Sequence, residues 1–200
     1  MSNLDIQDGT LVVGRPPTEF DEIANSFSTI LADHDVSHVF VWGYVATLIG
    51  PTEAIETIDV VLEPLDRESF EPVASAIEEA GFWGVATPVA EAFDPLSNGE
   101  PVSMAPSDQV IPYLEVTFAD DEVDEECLRG SMTAEVGDAE LPIGPLELQV
   151  AYKLYLVHRT SFEDAVDLYS MVEERLDQPK LRQWCERLGI GDEYERLVRA

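Results

Sequence analysis

Residues 36–63 constrain this chain more than any other stretch. Val36 to Val41 is a nearly unbroken apolar run that reads as a strand. Gly43 breaks the run, and glycine permits the tight backbone of a strand-to-helix turn. Tyr44 to Ile49 gives one or two turns of helix, stopped by Gly50 and Pro51. Ile58, Val60 and Leu62 then alternate with Asp59 and Val61, so a second strand follows. Asp59 is the ionisable group in its middle. A carboxylate there is costly to bury unless it meets a cation or a hydrogen-bond donor.

The rest of the chain reads outward from this unit. Residues 1–17 are polar with Pro16-Pro17 and read as an arm to which Leu11-Val12-Val13 can add an edge strand. Thr18, with Asp21 three residues on, opens a helix carrying Phe20, Ile23, Phe27, Ile30 and Leu31 to about Asp33. His34 and His38 read as turn and strand-edge residues rather than as a metal pair. Asp66 caps a helix with Phe70, Val73, Ile77 and Ala80 on one face, closed by a turn at Gly81–Gly84. Residues 84–109 are rich in proline and read as a loop with a short helix near Val89–Phe93 and a strand near Val102–Met104. Val110 to Phe118 is a strand with Leu114, Val116 and Phe118 on one face and Tyr113, Glu115 and Thr117 on the other. Asp120–Glu126, six acids broken by Val123, starts a solvated helix ending near Gly130, and a hairpin turned at Gly137-Asp138 follows. From Pro145 the pattern is helical to the end.

Charge bears on class. The chain has 41 acidic and 11 basic residues, net −30, with an ordinary 45% of hydrophobic residues. Apolar periodicity argues against disorder, and the scatter of the acids argues against a dedicated cation store. The composition therefore reads as that of a high-salt cytoplasm, a haloarchaeon-like acidic proteome, where screening tames self-repulsion. Residues 1–152 hold 31 acids against Arg15, Arg67 and Arg129; residues 153–200 hold ten acids and eight bases. That near-neutral end serves helix pairing or an anionic partner. Cys127 and Cys185 lack metal or redox spacing and read as free thiols. No apolar run approaches a membrane span, so a soluble, cytoplasmic protein without a membrane partner is expected.

The unit around Gly43 resembles the nucleotidyltransferase superfamily, in particular the branch of minimal nucleotidyltransferases and AbiEii-type toxins. Members carry a Gly-Gly or Gly-Ser turn, a short helix and an Asp-x-Asp pair on the next strand. Gly43, Tyr44, Gly50, Ile58 and Asp59 fall at the family's spacing. Trp42 stands at the first Gly, Glu53 at an Arg, Ile55 at a Thr, and Thr57 at the first Asp. A second signature matches at Lys153, Arg159, Asp164, Asp167 and Leu168, with Glu163 at a usual Lys or Arg and Ser161 or Thr160 as the helix cap. Glu115 fits the slot of the family's third carboxylate.

The resemblance implies an α/β (α+β) fold: a mixed nucleotidyltransferase-type sheet flanked by helices, with a C-terminal helical segment. The implied division is an arm (1–17), an α/β core (18–144) and the helical segment (145–200). It implies Asp59 and Glu115 as catalytic, Mg²⁺-binding residues, since hard cations take carboxylate oxygens. Gly43, Tyr44, Thr57 and Lys153 are implied at the nucleotide, Lys153 at phosphate. Two functions follow. One is transfer of a nucleotidyl group from an NTP to a hydroxyl of RNA, protein or a small molecule. The other is an inactive nucleotide- or protein-binding module, for example a toxin-antitoxin component with an antitoxin-like partner. No Gly-x-Gly-x-x-Gly, P-loop, Ser-His-Asp set or His cluster offers a competing chemistry.

Overall fold

A computed structural model describes residues 4–7, 9–50, 55–107, 109–156 and 162–200. Glu53, Arg159, Thr160 and Ser161, named above, lie outside the described residues. Nine strands form among the described residues: β1 (Leu4–Gln7), β2 (Thr10–Val13), β3 (His38–Val41), β4 (Thr57–Leu62), β5 (Phe82–Gly84), β6 (Val102–Pro106), β7 (Tyr113–Phe118), β8 (Met132–Val136) and β9 (Ala139–Ile143). They form one mixed sheet in the order β1-β2-β8-β9-β3-β4-β7-β6-β5. The helices are α1 (Glu19–Asp33), α2 (Trp42–Ile49), α3 (Arg67–Glu79), α4 (Phe93–Ser97), α5 (Glu122–Arg129), α6 (Leu146–Tyr155), α7 (Phe162–Val172), α8 (Gln178–Arg187) and α9 (Gly191–Leu197). The mixed α/β architecture is the one expected.

The centre of the sheet places the site. β4 runs parallel to β7 with Asp59 opposite Glu115, and antiparallel to β3 with Asp59 opposite Val41. Leu114, Val116 and Phe118 of β7 are buried on one face, where Phe118 meets Phe70 of α3 and Phe93 of α4 edge-on. Glu115 therefore faces the other way, on the same side as Asp59. Burial of one face fixes this register, because a one-residue slip would turn the carboxylates into the core.

Side chains cap the helices as the sequence indicates. Thr18 and Asp21 form a capping box at α1. Asp66 accepts from the Ser69 amide at 2.8 Å. Asp121 accepts from the Val123 and Asp124 amides, so the acid run opens α5 with charges suited to a helix N-terminus. Three details differ from the sequence reading. Residues 10–13 form β2 between β1 and β8, with Leu11 fully buried, so this strand lies one in from the edge. Phe82–Gly84 is a strand, β5, where a turn was expected. In the proline-rich stretch the expected strand is β6, while the short helix expected near Val89–Phe93 is a 3-10 turn at Val89–Glu91 followed by α4.

Candidate functional site

The site is built where β3 ends and α2 begins. The expected special backbone at Gly43 falls one residue earlier, on Trp42, whose φ is +53°. A left-handed conformation is free for glycine and unfavourable for a bulky residue. Two contacts hold Trp42 there. Its amide donates to Gln149 Oε1 of α6 at 2.7 Å, and its indole stacks on Tyr152 with centroids 3.6 Å apart and planes 25° apart. Tyr155 continues the row 6.0 Å beyond Tyr152 and is 48% exposed. Gly43 lies in the first turn of α2 against the carboxylate of β4: a Cβ there would sit 3.8 Å from Asp59 Oδ2.

Asp59 and Glu115 come together as the sequence indicates, on adjacent parallel strands and in register. Burial and the Glu115 charge push the Asp59 carboxyl up to about 6, against a smaller opposite pull from its own and Gly43's amides. Among the described residues neither carboxylate is ion-paired to a side-chain cation. Asp124 of α5 is likewise pushed up to about 6, by burial and then by Asp121. Burial, and after it the charges of Asp124, Asp59 and Asp121, push the Tyr152 hydroxyl above its ordinary value. Among the described residues no group of three or more acids, histidines or cysteines converges as a metal cage.

A cavity of about 220 Å³ opens on the other flank, between α2 and α7. Gly43, Thr47, Lys153, Asp164, Asp167 and Met171 line it. Lys153 Nζ stands 3.9 Å from Asp164 Oδ2, so its charge is tethered at the wall. Thr57, two residues before Asp59, is half-buried on the same side of β4.

Tyr44 corrects an expectation. Its side chain is fully buried, and its hydroxyl donates to Asp21 Oδ1 at 2.8 Å. Helical periodicity carries it away from Gly43's exposed side into the core, so it is not available to a nucleotide. The sequence reading also passed over Gln149, Tyr152 and Asp124. Gln149 was findable as a polar residue on the apolar stripe of α6; it is 3% exposed. Tyr152 and Tyr155 share a face three residues apart, a signal obscured by Lys153 between them.

No family model and no curated protein matches the sequence. Solved structures match its fold. An antigenic nucleotidyltransferase-like protein from Paracoccidioides brasiliensis superposes with a TM-score of 0.58 at 12% identity, covering 92% of this chain and 95% of that one. ANT(2'')-Ia in complex with adenylyl-2''-tobramycin gives 0.56 at 12% identity, over 86% and 97% of the two chains. The solution structure of the antibiotic-resistance factor ANT(2'')-Ia gives 0.51 at 10% identity, over 87% and 92%. At such identities the shared property is the fold.

Proposed function

We propose, from the premise that this chain has the nucleotidyltransferase fold, that it binds a Mg²⁺–nucleoside triphosphate and transfers the nucleotidyl group to a hydroxyl. One observation carries the reading. Asp59 and Glu115 stand opposite each other on adjacent strands, and Asp59 is pushed up to about 6 by burial and by its neighbour. Two close carboxylates of raised energy are relieved by a divalent cation, and hard oxygen ligands suit Mg²⁺.

Asp59 and Glu115 would hold the ion, which when bound neutralises charge on the triphosphate oxygens. Lys153, at the cavity wall beside Gly43, supplies a point charge for phosphate. The Trp42 amide is engaged by Gln149, and Gly43's pulls on Asp59, so the start of α2 orients the acid more than it binds phosphate. The acceptor oxygen bonds to the α-phosphorus, the bond from that phosphorus to the bridging oxygen breaks, and pyrophosphate leaves. The hydroxyl proton passes to Glu115. Positioning and charge stabilisation supply the rate. ANT(2'')-Ia holds an adenylylated small molecule, which supports a small-molecule hydroxyl beside RNA or protein as the acceptor.

A second reading has its own support. Thr57 offers a neutral hydroxyl where a further carboxylate would complete the site. A binding module without transfer, in the manner of a toxin-antitoxin component, is consistent with that loss. Calorimetry with Mg²⁺–NTPs in molar KCl, followed by a label-transfer assay with α-labelled NTPs, separates the readings. Binding with transfer supports the first, and binding without transfer under any acceptor supports the second. No binding by wild type, or unchanged binding by Asp59→Ala, sinks the assignment of the site.

A further inference from the structure

We infer that the row Trp42–Tyr152–Tyr155 is the platform on which the nucleobase stacks, so that the base is held by its face and not read by its edge. This rests on the reading of Asp59 and Glu115 as the triphosphate–metal pair. Trp42 is joined directly to Gly43, which lies against Asp59, so the row starts at the site itself. It extends from there through Tyr152 to Tyr155, a residue 48% exposed whose ring lies 6.0 Å from that of Tyr152 at a tilt of 36°. Strained backbone persists where surroundings over-determine it, and it gathers at functional sites. Here a bulky residue occupies a left-handed position where glycine would carry no strain, and the buried Gln149 fixes its amide. The effect is to set the indole flat against Tyr152. An aromatic ladder open at one end binds any base, because every base has a π-face.

The row is therefore assigned to base affinity without base choice, with purines ahead of pyrimidines through their larger face. The charge-matched probe is ribose 5-triphosphate, which has the phosphates and sugar but no base. Isothermal titration in molar KCl with Mg²⁺ compares it with ATP, GTP, CTP and UTP on wild type, Tyr155→Ala and Tyr152→Leu. Wild type is expected to favour each NTP over ribose 5-triphosphate by about tenfold. Tyr155→Ala, a change at an exposed ring, is expected to lose most of that preference while binding ribose 5-triphosphate as before. Tyr152→Leu should behave alike. If ribose 5-triphosphate and the NTPs bind wild type equally, or if the preference survives both substitutions, the platform is wrong and the metal site stands. A single NTP favoured by a hundredfold or more also overturns it, since stacking does not choose so sharply. If nothing with a triphosphate binds, this inference and the proposed function fail together.

Discussion

Asp59 is a residue that the fold holds under electrostatic stress. Its carboxyl is pushed up to about 6 from an ordinary 3.8, first by burial and then by Glu115. The fold thus favours the protonated acid. The favourable contribution is complete below about 4 and is lost as the pH rises through about 6. Asp59→Asn keeps the shape and removes the charge. Without divalent cations it should melt higher than wild type at pH 8, with the gap closing toward pH 4, and it should no longer bind Mg²⁺–NTP. A variant that melts lower at pH 8 would show that the acid is not under electrostatic stress. Tyr44 is the opposite case. Its hydroxyl serves Asp21, which also accepts from the Arg15 guanidinium at 2.6 Å and from the Thr18 amide and hydroxyl. Burial would raise the Asp21 carboxyl, but these donors outweigh it and hold it below the usual carboxylate range. Tyr44→Phe removes one hydrogen bond to a buried charge, so urea denaturation should show a loss of about 1.5–3 kcal/mol. Nucleotide titration should show no change; weakened binding with unchanged stability would restore Tyr44 to the site.

At the scale of the element, strand periodicity is what makes the site testable and what made it legible. Thr57 and Asp59 share a side of β4, and Glu115 lies level with Asp59 on β7. Thr57→Asp would therefore aim a third carboxylate at the same space. Mg²⁺–ATP affinity should rise about tenfold, the worth of one added interaction with a charged group, while the cation-free protein melts lower from added repulsion. Calorimetry and a melting curve check both, and equal affinity would mean that Thr57 and Asp59 do not share a ligand. The same rule of two let Leu114, Val116 and Phe118 declare the buried face of β7 in sequence, and hence Glu115's direction. Caps at Thr18 and Asp66 were legible because their chemistry is local. The misses came from tertiary context. Nothing near Trp42 in sequence reveals that Gln149, more than a hundred residues on, would stabilise a left-handed tryptophan. Nothing near Tyr44 reveals Asp21. β5 escaped because three residues are too few for a period, and its partner β6 lies across a proline-rich excursion.

For the whole molecule, charge is the governing quantity. The chain carries −30, and many of its described basic residues are spent on internal pairs. Lys180 and Arg187 of α8 reach Glu126 and Glu122 of α5, while Arg182 and Arg199 pair with Glu186 and Glu195 on their own helices. The two pairs to α5 tie the near-neutral end to the acidic core, in line with helix pairing, and the net charge of residues 1–152 stays far from balanced. Exposed pairs contribute little each, so they do not offset repulsion spread over the surface. Screening does. At about 1 M salt the Debye length is roughly 3 Å, and at about 10 mM it is roughly 30 Å, comparable to a small domain. The fold is therefore expected to require high ionic strength. Circular dichroism should show native helix content in about 2 M KCl and a steep loss on dialysis to about 10 mM. NaCl should substitute for KCl at equal ionic strength, since the effect is screening and not site binding. If the Asp59–Glu115 pair holds Mg²⁺ as proposed, millimolar Mg²⁺ should raise the melting temperature of wild type beyond the rise seen for Asp59→Asn. A spectrum unchanged at low salt would overturn the high-salt reading of the composition, and equal Mg²⁺ responses in the two proteins would assign the divalent effect to the surface instead of to the pair.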